Sequence, residues 1–154
     1  MIRCIRFDFP KGNDGSKDFA EKILQTIETL KTLNSELFEK WYEQAYSRKR
    51  ALEKSVLFDI NYIEHCVITN WDKKFPDLGF HFQWWNGKED DFSCAISFNL
   101  GKTVNNDNLS NVWNISFPFD EKYYKEHVSL ELIKEIKKMG KEIWQPLEIK
   151  EFER

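Results

Sequence analysis

The stretch Phe80-His81-Phe82-Gln83-Trp84-Trp85, followed directly by Asn86-Gly87, decides the fold. Alternation with a period of two places Phe80, Phe82 and Trp84 on one face of a strand and the residues between and after them on the other. An Asn-Gly pair after such a strand favours a hairpin. We therefore predict that residues 80–85 pair with a second strand, residues 92–100. The acidic residues of the connection, Glu89, Asp90 and Asp91, are predicted to form its tip.

Further strands and helices are predicted on both sides of this hairpin. Alternation predicts strands at residues 2–9, 112–119 and 147–152, and the segment 37–43 is also interpreted as a strand. Amphipathic helices are predicted after the N-capping residues Ser16, Asp59 and Ser129, and Ser47 is predicted to cap a short helical turn through Ala51 and Leu52. This pattern indicates a single domain, residues 1–154, of the α+β class, with a mostly antiparallel sheet of about five or six strands and flanking helices.

The composition limits the classes of function. The chain has 154 residues, with 26 acidic and 23 basic side chains and a formal net charge of −3. Nucleic-acid binding depends on a basic surface, so no direct nucleic-acid partner is predicted. The first residues lack the apolar run of a signal peptide, and no stretch reaches the ~18 apolar residues of a membrane span. We therefore expect a cytoplasmic protein without a membrane partner. Its three widely spaced cysteines are expected to be free thiols.

His65, Cys66, His81 and Cys94 are the residues from which a metal or catalytic site could be built. Structural zinc sites use closely spaced ligand pairs such as C-x₂-C or H-x₃-H, and the sequence contains neither. Cysteine and histidine can form a nucleophilic pair from distant positions, but buried cysteines are usually inert. Nucleophile-elbow, phosphate-loop and H-E-x-x-H motifs are missing as well. We therefore expect no catalytic residues, no metal and no cofactor, and a protein that acts by binding and not as an enzyme.

Three short motifs, in order along the chain, resemble those of a known family. Residues 41–52, from Trp41 through Ser47 to Ala51 and Leu52, resemble a W-[FY]-x-x-G-x-S-x-x-x-A-L segment. Residues 79–87 are similar to a G-F-x-[IVLF]-x-x-W-N-G hairpin, and residues 144–146 are similar to a W-x-P motif that closes the last helix. This order resembles that of immunity protein family fifty-two of bacterial polymorphic toxin systems. The matched residues are Trp41, Ser47, Ala51, Leu52, Gly79, Phe80, Trp85, Asn86, Gly87, Trp144 and Pro146.

The chain departs from the first motif at Ala45, where the family usually has glycine. If this position required a positive φ, an alanine there would be strained, so the local turn is predicted to differ. For Trp41 and Ser47 we expect a role in folding and not in binding.

The resemblance implies that the protein binds and neutralises a cognate protein toxin. Toxins paired with this family are often predicted nucleases of restriction-endonuclease type, which act in the cytosol. Inhibition would be steric, with acidic side chains facing a positively charged cleft. The candidate toxin-binding residues are Trp85, Glu89, Asp90, Asp91 and, on the next loop, Asp107.

Two other interpretations remain open from the sequence. An intracellular adaptor module with a partner that is not a toxin would have the same composition and no catalytic motif. A small enzyme would need a pocket built around His65 and His81, with a strongly perturbed histidine in it. The oligomeric state is not determined by any pattern in the chain.

Overall fold

A computed structural model of the protein describes residues 1–104 and 110–153. Within these residues the strands are β1 (Ile2–Phe9), β2 (Tyr42–Glu43), β3 (Leu78–Trp85), β4 (Ala95–Lys102), β5 (Asn111–Ser116) and β6 (Glu148–Glu153). The helices are α1 (Ser16–Leu33), α2 (Ser35–Phe38), α3 (Arg48–Leu52), α4 (Ile60–Asn70), α5 (Glu121–His127) and α6 (Leu130–Trp144). A single 3₁₀ turn, Asp90–Phe92, lies between β3 and β4.

The strands form one six-stranded sheet in the order β2-β3-β4-β5-β1-β6. Each pair is antiparallel, including β3 with β4, where Phe82 lies opposite Phe98 and Trp85 lies opposite Ala95. The hairpin predicted from residues 80–100 is therefore present. The α+β class is confirmed, with helices flanking an open antiparallel sheet.

Helices α1, α4 and α6 cover one face of the sheet, and the core lies beneath them. The centre of this core is aromatic, with Phe7 and Trp113 stacked at 4.1 Å between ring centroids. Gly140 on α6 lets that helix approach β1, because a Cβ at this position would lie 2.1 Å from the Phe7 ring. A glycine within the helix pattern thus has a packing reason.

The opposite face of the sheet is polar and is not covered by a described helix. Apart from Trp85, Ala95 and Val112, its middle strands carry polar side chains, all partly or fully exposed to solvent. These are His81 and Gln83 on β3, Ser97 and Asn99 on β4, and Asn114 and Ser116 on β5. Phe80, Phe82 and Trp84 point to the buried face, as their alternation predicts.

The prediction of a strand over residues 37–43 is wrong for most of its length. Leu37 lies in α2, because the side chain of Asn34 accepts a hydrogen bond from the Leu37 amide and caps a helical turn. Only Tyr42 and Glu43 pair with β3. Ala45 does not have a positive φ, so its alanine is not strained.

Other helix boundaries agree with the capping residues to within one position. Ser47, Asp59 and Ser129 cap α3, α4 and α6 as predicted, and each side chain accepts a backbone N–H. Ser16 is the first residue of α1 and not its cap. Gly15 occupies the cap position, and its N–H donates to the Asp18 carboxylate at 3.1 Å.

Strand ends and one helix differ from the predictions. β4 begins at Ala95, because Phe92 belongs to the 3₁₀ turn. β5 ends at Ser116, short of Phe119, and β6 extends to Glu153. Helix α5 is not predicted from the sequence, because its seven residues are too few for a clear helical period.

Candidate partner-binding site

The connection between β3 and β4 is held in place by the buried side chain of Asn86. Its amide nitrogen donates to the Leu37 carbonyl at 3.0 Å, and its amide oxygen accepts from the Cys94 N–H at 3.0 Å. One side chain therefore ties the start of the connection to its end and to α2. The connection is longer than a two-residue turn, and Asn86 has a structural role in it.

Three exposed carboxylates project from this connection. Glu89 precedes the 3₁₀ turn, and Asp90 and Asp91 form its first residues. The turn is closed by the Ser93 hydroxyl, which donates to the Asp90 carbonyl at 2.7 Å. The structure thus brings these three predicted site residues together on one short, hydrogen-bonded turn.

A distant segment adds two more carboxylates to the same surface. The Asp120 N–H donates to the Asp91 carbonyl at 2.9 Å, which places the start of α5 beside the hairpin. Asp120 caps α5 and Glu121 is its first residue. We call the five carboxylates Glu89, Asp90, Asp91, Asp120 and Glu121 the acidic tip.

Two ion pairs offset part of the charge of the acidic tip. Glu121 pairs with Lys125 at 2.8 Å, and Glu89 lies 3.9 Å from Arg48. Both pairs are exposed to solvent, so each contributes little to stability.

Aromatic side chains lie beside the acidic tip. Phe92 is 39% exposed and packs edge-on against Tyr123 of α5, with 5.2 Å between ring centroids. The Tyr123 hydroxyl donates to Glu36 of α2 at 3.1 Å, and Lys88 donates to the same carboxylate at 3.1 Å. These hydrogen bonds lower the pKa of Glu36. The contacts join α2, the hairpin and α5 into one support.

Trp85 lies on the polar face of the sheet, next to this support. Its indole N–H donates to the Lys88 carbonyl at 2.9 Å, and the Arg48 guanidinium lies 5.7 Å from its ring centroid. The Tyr42 ring also lies beside it, at 5.8 Å between ring centroids. The half-buried Trp85 is therefore held in one orientation with part of its surface exposed to solvent.

Most residues of the three motifs belong to the framework. Trp41, Ala51, Phe80 and Trp144 are buried, as is Gly79, whose φ of 69° favours glycine. Leu52 is 41% exposed, Gly87 lies against the Tyr42 ring, and Pro146 follows the left-handed residue that ends α6. Asp107 lies outside the described residues.

His65 and His81 do not form a common site. His65 is exposed on α4, on the helical side of the sheet, and His81 is exposed on the polar face. Burial raises the pKa of the Cys66 thiol to about 11 and also raises the pKa of the Cys94 thiol. Among residues 1–104 and 110–153, no three histidine, cysteine or acidic side chains lie close enough to hold a metal ion.

Comparisons with known proteins leave the family open. No model of a known protein family matches the chain, and no curated protein shows significant similarity to it. The resemblance to immunity protein family fifty-two therefore stays a prediction based on its three motifs. None of the helices in the described part of the chain is long and apolar enough to cross a membrane.

The sequence interpretation missed Asp120, Glu121, Phe92 and Tyr123 as parts of this site. Asp120 is a good N-capping residue followed by an acidic first turn, and this signal could have located α5. Its contact with Asp91 joins two segments that are far apart in the chain, and no local pattern encodes such a contact.

Proposed function

We propose that the protein is an immunity protein that binds a cognate toxin in the cytoplasm and blocks it sterically. The observation that carries this proposal is the acidic tip, in which five carboxylates lie beside the exposed Phe92 ring on segments joined by hydrogen bonds. The motif resemblance supplies the class of partner, and the tip supplies a surface suited to it.

A nuclease has a positively charged cleft, because its substrate is a polyanion. Carboxylates at a protruding turn can occupy the positions of substrate phosphates in such a cleft. Opposite charges on the two partners also raise the association rate, by about 10- to 1,000-fold at low salt. The acidic tip is therefore suited to inhibit a nuclease of the kind that the resemblance implies.

The hydrogen bonds that hold the acidic tip in place favour tight binding. A loop that is already ordered loses little conformational entropy when it binds. Asn86 and the contacts of Glu36 fix the tip before any partner arrives. A specific complex buries roughly 1,200–2,000 Å² in total, so Phe92 and Trp85 would lie inside an interface centred on the tip.

The proposed function is tested by expressing the protein encoded beside this chain in a bacterial host, alone and together with this chain. The expected result is growth arrest with the neighbour alone, rescue by co-expression, and co-purification of the two chains in a stoichiometric complex. A stoichiometric but harmless partner would contradict the proposal and support the adaptor interpretation.

The role of the acidic tip is tested by combining Asp90→Lys with Asp91→Lys. The association rate with the toxin should fall at least about tenfold at low salt, because the charge that attracts the cleft is reversed. The control combines Glu21→Lys with Glu28→Lys on exposed positions of α1, which changes the net charge equally. If both double variants associate equally slowly, the tip has no specific role.

A further inference from the structure

A pocket of about 160 Å³ opens at the end of the sheet opposite the acidic tip. Phe9 at the end of β1, Phe19 of α1 and Trp144 at the end of α6 contribute aromatic rings to its lining. β4 runs from the tip to this end over eight residues, which at ~3.3 Å per residue separates the two sites by roughly 25 Å. The pocket is therefore distinct from the proposed toxin-binding surface.

The aromatic wall is fixed by contacts with neighbouring side chains and between its own rings. The Trp144 indole N–H donates to the Thr26 hydroxyl at 2.8 Å, and the Trp144 ring lies 5.5 Å from Phe9 between centroids. Phe19 packs edge-on against Phe80 at 5.2 Å. These rings are preorganised, and the volume is close to the ~150 Å³ of an apolar cavity that accepts benzene. The volume is therefore of the size that one six-membered ring requires.

The charged residues of the lining favour an anion. Lys11 and Lys22 contribute to the lining, against one acidic residue, Asp14, whereas the Lys102 ammonium donates to the Asn99 amide oxygen. The Lys22 ammonium lies 5.7 Å from the Trp144 ring centroid and 3.4 Å from the Asp14 carboxylate. Both side chains of this ion pair are partly exposed, so the pair is weak and an incoming carboxylate can compete for the ammonium.

We propose that this pocket binds a small monocyclic aromatic acid, with its ring among Phe9, Phe19 and Trp144 and its acidic group at Lys22. The apolar wall supplies binding energy by burying the ring, and Lys22 selects an anion over a neutral or cationic ring of the same size. This inference does not depend on the proposed toxin partner, because it concerns the other end of the molecule.

The test is a titration of the whole chain with benzoate, benzyl alcohol and benzylamine, followed by ¹H–¹⁵N NMR. The Trp144 indole signal, assigned with Trp144→Phe, reports on the pocket. Benzoate should shift this signal saturably and bind most tightly, and benzylamine should bind most weakly. Equal binding of the three probes, or no saturable shift with benzoate, would overturn the proposal.

Two substitutions on α1 separate the pocket from general charge effects. Lys22→Gln should weaken benzoate binding on the order of three- to fivefold, which is the effect of one partly exposed charge contact. The affinity for benzyl alcohol should not change. Lys17→Gln removes an exposed charge on the same helix that does not line the pocket. The assignment of Lys22 fails if both variants bind benzoate equally.

Discussion

At the scale of the residue, the most constrained positions are those where the main chain passes close to another strand. Gly79, the second residue of β3, has a φ of 69°, and a Cβ built on it would lie 2.0 Å from the Leu100 carbonyl oxygen. Its role is therefore to let β3 and β4 meet, which the G-F motif alone does not reveal. Conformation and space both exclude a side chain here.

Gly79→Ala should destabilise the fold by roughly 2–4 kcal/mol, because a left-handed backbone strain is combined with a backbone clash. Urea unfolding followed by tryptophan fluorescence measures this loss. Gly12→Ala is the matched control, because a Cβ at Gly12 meets nothing within 4 Å. If Gly79→Ala lowers the free energy of unfolding no more than Gly12→Ala does, the clash is relieved by movement of β4.

At the scale of the element, sequence patterns predicted long units well and short ones poorly. α1 and α6 were predictable, because their apolar residues repeat at the helical period over four or more turns. The segment 37–43 was not, because apolar residues crowd both faces of it and the Asn34 cap decides its conformation. For the site, the exposure of Asp90 and Asp91 followed from a hairpin tip, whereas the docking of α5 against it did not.

The junction of α2, the hairpin and α5 should give a small acid dependence of stability. Two hydrogen bonds lower the pKa of Glu36 in the folded state below its ordinary 4.5. The stabilisation of the folded state by these hydrogen bonds is therefore complete above the pKa of Glu36 in the unfolded chain. It is lost as the pH falls through the lower pKa of Glu36 in the folded state.

Glu36→Gln should remove this dependence, which amounts to less than about 1 kcal/mol because the carboxylate is half exposed. Urea unfolding at several pH values between about 6 and 3 measures it. Glu39→Gln, an exposed glutamate next to the same helix, should retain the slope of the unchanged protein. A steep slope that survives Glu36→Gln would assign the acid sensitivity to other carboxylates.

At the scale of the whole molecule, both edges of the sheet resist pairing with another chain. β2 consists of only two residues. β6 is longer, but Glu148, Lys150, Glu151 and Glu153 place charges along it, and Lys137 contacts Glu151 from α6. Charged or very short edge strands disfavour edge-to-edge association. The middle of the open face is mostly polar, and Ala95 and Val112 alone give only a small apolar surface for a second copy.

We therefore expect the isolated chain to be a monomer in sedimentation velocity experiments at micromolar concentration. Combining Lys150→Val with Glu151→Val removes two edge charges and should produce dimers or larger species. The same two changes made at Glu131 and Lys138, exposed positions of α6, provide the control for added apolar surface. Association of the control alone would show that the edge charges have no protective role.

The two hydrogen bonds of the Asn86 side chain have a consequence for how such a protein could change its partner. They join Leu37 to Cys94 across the base of the connection, so the conformation of the loop ends does not depend on the side chains at 89–91. Those side chains can vary while the scaffold keeps its stability. A lineage could therefore follow a diverging partner by mutating the turn alone, and a library randomised at these three positions would sample new specificities on an unchanged fold.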